Sequence, residues 1–126
     1  MRYKLLIYTC FGGCETGVAA SKACIRIWEE NFGEVKVGCL PAVVIPGKLK
    51  EMIKNSEKRL LIDACGLRCG LRLAEKFNLP INSYIELTST LQRKKVKRLP
   101  SKKLEEEVYE LIKRKVNILL GEPSTT

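Results

Sequence analysis

A chain of 126 residues has room for one domain with a substantial core and not for two comfortable ones. It carries a net charge of +9, six cysteines and no histidine, which excludes imidazole acid–base catalysis, Cys–His nucleophile pairs and mixed Cys/His zinc sites. No apolar run approaches the roughly 20 residues of a membrane span, and the N-terminus reads straight into a strand without a signal-peptide pattern. The expectation is a cytoplasmic protein with no membrane association. Abundant Lys, Glu and Ile with a single glutamine has a thermophilic cast.

The elements alternate along the chain. Residues 3–9 read as a buried strand, followed by Cys10-Phe-Gly-Gly-Cys14-Glu-Thr-Gly17. A helix is predicted from about Thr16 to Asn31, with Ala20, Ala23, Cys24 and Ile27 on one face and Gly33 as a left-handed terminator. Residues 34–38 form a short strand leading into Cys39-Leu-Pro41, and Pro46-Gly47 opens a second helix to about Asn55. Lys58 to Asp63 is the third strand. Leu67 to Phe77 is the third helix, with Leu71, Ala74 and Phe77 inward, and Tyr84 to Thr88 the fourth strand. Ser101 caps a final helix to about Leu119 with the stripe Leu104, Val108, Leu111 and Ile112. Its Glu105 to Glu107 lie near the start and Lys113 to Lys115 near the end, as the helix dipole favours.

Strands alternating with helices of this length predict right-handed crossovers. The expected fold is a single three-layer α/β domain with a mainly parallel four-stranded sheet, Rossmann- or flavodoxin-like. It spans residues 1–120, with 121–126 as a frayed tail.

This organisation gives the cysteines their meaning. Cys10, Cys39 and Cys65 each follow the carboxyl end of a strand, and in an open parallel sheet all such ends lie on one edge, where ligands bind. Cys69 joins them one helical turn after Cys65. A helix N-terminus favours thiolate over thiol, the form that binds metal or attacks a disulfide. Four thiolates suit Zn²⁺, at Zn–S distances of about 2.3 Å, and suit an iron–sulfur cluster nearly as well.

Other patterns fail. A zinc ribbon needs two Cys-x-x-Cys knuckles, and both local pairs here, Cys10/Cys14 and Cys65/Cys69, have three intervening residues. A Cys-x3-Cys-x2-Cys cluster motif is broken by Gly17, and a phosphatase Cys-x5-Arg loop by Thr16.

The order of a strand ending in Cys, a turn with glycine, a second strand ending in Cys and then Ile62-Asp-Ala-Cys-Gly-Leu-Arg-Cys69 resembles the DGC-domain family. The resemblance covers roughly residues 3 to 96. That family is named for an Asp-Gly-Cys motif followed by another cysteine four residues on. The resemblance implies a zinc-binding protein with Cys10, Cys39, Cys65 and Cys69 as the chelating set. Gly17 and the basic segment after the fourth strand also fit. The departure is Ala64 where the motif has glycine, which implies ordinary backbone geometry there or a loosened backbone approach.

The remaining candidates sort by context. Cys24 shares a face with Ala20 and Ile27 and reads as core. Cys14 is an alternative to Cys39 as a ligand, or a resolving thiol, and Asp63 reads as a cap for the next helix or as an orienter of the cysteine loop. The run Arg93-Lys-Lys-Val-Lys-Arg98 with Lys102 and Lys103 lacks interleaved aromatics, so it reads as a solvated surface and nucleic acid is not an expected partner. The expected function is a zinc-binding protein whose site is structural, regulatory or metal-handling, with a metal ion as partner. The alternative is a thiol or sulfur-transfer oxidoreductase, or an iron–sulfur protein, using the same cysteines. No residue is assigned a catalytic role.

Overall fold

Two runs too apolar to face water on either side, Leu5 to Tyr8 and Leu60 to Ile62, take the middle of a parallel sheet, where both faces are covered. In the computed structural model, which describes residues 2–122, the strands are β1 (Tyr3–Thr9), β2 (Val35–Val37), β3 (Ser56–Asp63) and β4 (Ser83–Glu86). They lie in the order β2-β1-β3-β4, and every neighbouring pair is parallel. Helices α1 (Glu15–Glu30), α2 (Lys48–Lys54), α3 (Cys69–Lys76), α4 (Leu87–Thr90) and α5 (Lys102–Gly121) complete the fold, with a 3-10 turn at Leu40–Val44. No helix among the described residues is long and apolar enough to cross a membrane.

The side chains of β1 and β3 alternate between two cores. Leu5, Ile7, Leu60 and Ile62 pack with Ala20, Ala23, Cys24 and Ile27 of α1 and with Leu104, Val108 and Ile112 of α5. Leu6, Tyr8 and Leu61 pack on the other face with Leu40, Val43 and Ala74. The result is the three-layer α/β domain expected. Each fully buried Leu or Ile contributes roughly 1.5–3 kcal/mol from removal of apolar surface, so the two cores dominate over any surface ion pair.

Placing α1 on one face and α2 and α3 on the other follows from right-handed crossovers that run one way from β1 to β2 and the opposite way from β2 through β3 to β4. The direction reverses between β1 and β3. Their carboxyl ends therefore flank an open crevice, the switch point of the sheet.

Several boundaries differ from expectation, each for a local reason. The third helix starts at Cys69 and not Leu67, because Arg68 holds a left-handed conformation (φ 53°) that interrupts the helix. The fourth strand stops at Glu86, because its side chain turns to cap α4. Ser101 does cap α5, its Oγ accepting from the Leu104 amide at 3.1 Å. That helix continues to Gly121, which leaves Lys113 to Lys115 in mid-helix, where Lys113 pairs with Glu30 at 3.2 Å instead of complementing the helix end. Of the predicted tail, Gly121 is helical and Glu122 is joined to the buried Lys58 at 3.2 Å, while residues 123–126 lie outside the described residues. Gly33, with φ 94°, follows α1 in the left-handed conformation expected of it.

One glycine fixes how the first cysteine loop meets α1. A Cβ at Gly17 would stand 2.6 Å from the Gly12 carbonyl oxygen, so the loop backbone lies directly on the first turn of the helix. Gly17→Ala is expected to cost on the order of 1–3 kcal/mol by overpacking against backbone that cannot rotate away. Urea unfolding checks this.

Candidate thiol site at the carboxyl edge of the sheet

The carboxyl edge gathers residues from four loops. Cys10, Cys39 and Cys69, from the segments after β1, β2 and β3, line one cleft of about 520 Å³ together with Phe11, Leu40 and Leu73. Cys39 and Cys69 are exposed and Cys10 is half-buried. Cys65, also half-buried, sits in the turn entering α3 and is not among the residues lining the cleft. Cys24 is sealed in the core, where burial pushes its thiol up to about 12.

Asp63 organises the approach to this cleft. Its carboxylate, only 1% exposed, accepts from the Gly70 amide at 2.9 Å, the Leu71 amide at 3.0 Å and the Tyr84 hydroxyl at 2.8 Å. Two of these donors are unsatisfied amides of the first turn of α3, so the charge sits where the helix dipole favours it. The arrangement requires Gly70, since a Cβ there would lie 2.7 Å from Asp63 Oδ1. Burial, and then the hydrogen bond to Asp63, push the Tyr84 hydroxyl well above its usual range, so Tyr84 stays a donor.

The loops after β1 and β3 are tied to each other. The Ala64 amide donates to Cys10 Sγ at 3.2 Å, and the Ala64 carbonyl accepts from the Thr16 hydroxyl at 2.9 Å. With its one proton committed to that carbonyl, Thr16 Oγ1 can only accept from the Cys14 thiol, 3.4 Å away. Cys14 is thus a buried thiol donor inside a structural relay. Ala64 is buried and has no left-handed φ, so alanine stands here in ordinary backbone geometry. Burial pushes the Cys10 thiol up, and the Ala64 amide offsets part of that.

Two further carboxylates frame the site, and the sequence reading missed both. Glu86, beside Asp63 in register, accepts from Thr88 Oγ1 at 2.7 Å and from the Ser89 amide, and the turn at Gly66 runs past it. The signal was the acidic residue closing the fourth strand just as Asp63 closes the third. Glu15, 2% exposed at the start of α1, is held by Arg93 at 2.8 Å and Arg98 at 2.9 Å, while its amide donates to the Val96 carbonyl at 2.9 Å. The basic segment therefore does more than coat the surface. Its two arginines lock it over the N-terminus of α1, leaving Lys94, Lys95 and Lys97 exposed.

The chemistry of the donor set fits a soft cation, because every candidate ligand is a thiol and two of the four are exposed. The geometry is not preassembled. No group of three or more His, Cys, Asp or Glu side chains among the described residues is placed to hold one ion.

A parallel α/β domain that carries thiols after three successive strands, with three of them lining one cleft, defines the class. The chain belongs to the DGC-domain family, whose family model matches residues 6–115. No curated protein and no solved structure gives a significant match.

The carboxylates supply a pH signature. The Arg93 and then Arg98 hydrogen bonds hold Glu15 below its ordinary 4.5. For Glu86, burial opposes ionisation, but the bonds from Thr88 and Ser89 outweigh it and also lower the pKa. A folded pKa below the unfolded one means the folded state binds fewer protons between the two values. The stabilisation is full above the unfolded pKa and is lost as pH falls through the folded one. Glu15→Gln and Glu86→Gln are each expected to lower stability at neutral pH. They should also flatten the fall of the urea midpoint below about pH 4.5, the ordinary value of these groups.

Proposed function

We propose that this protein binds one zinc ion through Cys10, Cys39, Cys65 and Cys69 at the carboxyl edge of its sheet. The observation that carries the reading is the delivery of three thiols, from loops following three different strands, to one cleft. Packing alone gives no reason for exposed or half-exposed cysteines to gather there, since free cysteine is ordinarily buried as a small hydrophobe. The fourth thiol, Cys65, lies four residues before Cys69 on the turn that enters α3 through the left-handed Arg68. Against Cys14 as a ligand stands its burial, with the thiol donating to Thr16 Oγ1 at 3.4 Å.

A closed set of four thiolates supplies structural cross-linking and not an activated water, so the bound metal would tie together the loops after β1, β2 and β3. The protein's own residues prepare this. Ala64 orients Cys10, and Asp63 fixes the start of α3 and hence Cys69. The second reading, a thiol or sulfur-transfer protein, draws on the same cleft: Cys39 and Cys69 are exposed beside an apolar wall of Phe11, Leu40 and Leu73.

Reduced protein titrated with zinc is expected to bind about one ion per chain, read by elemental analysis after desalting. Zinc at 100 times its dissociation constant should raise stability by about 2.7 kcal/mol. Cys39→Ser should remove most of the metal, and Cys14→Ser, which keeps a hydroxyl donor for Thr16, should leave it nearly stoichiometric. The reverse pattern would replace the quartet by the two local Cys-x3-Cys pairs. Iron with acid-labile sulfide in anaerobically purified protein would establish the cluster reading instead. Absence of any metal, with Cys39 and Cys69 alkylated far faster than Cys24, would favour thiol chemistry.

A further inference from the structure

Charge is distributed unevenly over the molecule. The four segments that leave the carboxyl edge, residues 10–14, 38–47, 64–68 and 91–101, contain six cations, Arg68, Arg93, Lys94, Lys95, Lys97 and Arg98, and no Asp or Glu. The carboxylates at that edge, Glu15, Asp63 and Glu86, are all buried, and each is already held by donors within the fold. Exposed carboxylates such as Glu34, Glu51, Glu75 and Glu106 lie on the helices or just before β2. The four segments thus offer a partner positive charge with no carboxylate of their own to compete for it.

The same segments expose apolar side chains. Phe11, between Cys10 and Cys14, is 71% exposed, Leu67, between Cys65 and Cys69, is 59% exposed, and Leu99, at the end of the basic run, is 79% exposed. Phe11 also forms part of the wall of the 520 Å³ cleft, and no charged residue lines that cleft. Apolar anchors set beside cations around an uncharged recess have the composition of a recognition surface, where packed anchors supply most of the affinity and charges the steering.

One kind of occupant answers all three features. The phosphates of a nucleic acid meet the cations but leave Leu67, Leu99 and the uncharged recess without a partner. An anionic bilayer meets the cations and the apolar side chains but, as a broad surface, does not fill a recess of this size. We propose that the carboxyl edge docks an acidic segment of a partner protein, with Arg68, Lys94, Lys95 and Lys97 facing its carboxylates and Phe11 and Leu67 covered by its apolar side chains. The face adjoins the proposed metal site, but its charge and its exposed apolar groups do not depend on zinc.

The probe is a random-peptide library displayed on phage and selected on reduced, metal-free, full-length protein. Enriched peptides are expected to combine Asp or Glu with Phe, Leu or Trp. The best of them, synthesised with a fluorescent label, should bind more weakly as salt rises. It should lose affinity roughly tenfold or more for the variant carrying Lys94→Glu, Lys95→Glu and Lys97→Glu together, and roughly fivefold for Leu67→Ser. Arg93 and Arg98 are untouched in the charge variant, so Glu15 keeps both partners and the urea midpoint should hold. If that variant does not fold, Leu67→Ser and the salt dependence carry the decision. No enrichment, enriched peptides without acidic residues, or equal binding by the variants would overturn the docking face. Tighter binding of labelled oligothymidylate, or of phosphatidylserine vesicles, than of any selected peptide would overturn it in favour of nucleic acid or membrane. Zinc stoichiometry is measured separately, so peptide binding failing while zinc binds removes this face alone, and the converse removes the metal reading alone.

Discussion

The carboxylate of Asp63 is withdrawn from water with no cationic partner among the described residues, and the thiol edge is arranged around making that tolerable. An uncompensated buried charge costs several kcal/mol, and here the compensation is three donors and a helix dipole. To supply them, α3 must begin where it does, Gly70 must lack a side chain, and Tyr84 must point across from β4. Cys69, the first residue of α3, inherits its position from that requirement. The site is thus held by hydrogen bonds between neighbouring strand ends, and not by contacts among the sulfurs.

A second buried carboxylate plays a comparable part on the opposite face. Glu15 brings the segment from Arg93 to Arg98 down onto the start of α1, next to the loop bearing Cys10 and Cys14. Its single negative charge is shared between two arginines, so it offsets only one of the five positive charges of that segment. What remains on the arginines and on Lys94, Lys95 and Lys97 supports a general attraction for anions within a Debye length of roughly 10 Å.

Apolar continuity made the central strands legible, and the 3.6-residue period made α1 and α5 legible with their inward faces. The helix start at Cys69 was not, because a left-handed arginine leaves no mark in composition. The end of β4 was hidden for a related reason: Thr88 has strand propensity, but the Glu86 side chain draws Ser89 into a turn, and tertiary context prevails. The strand-end cysteines could be grouped from their spacing, since parallel topology puts such positions on one edge. Their distances could not, because loop conformation after each strand is set by partners such as Thr16 and Ala64 that are far apart in sequence.

The parallel order of the sheet also bears on how the chain comes to hold its thiols. The central pairing sets Tyr3 beside Ser56, so β1 has no inner neighbour until nearly half of the chain has been synthesised. Non-local pairing of this kind is slow compared with helix formation. During that interval Cys10 lacks the Ala64 amide and Cys14 lacks the anchored Thr16, while Cys24 awaits the core that will enclose it. The nascent chain therefore passes through a stage in which thiols that end up shielded are open to oxidants and stray metal, and the speed with which β3 docks sets the length of that exposure.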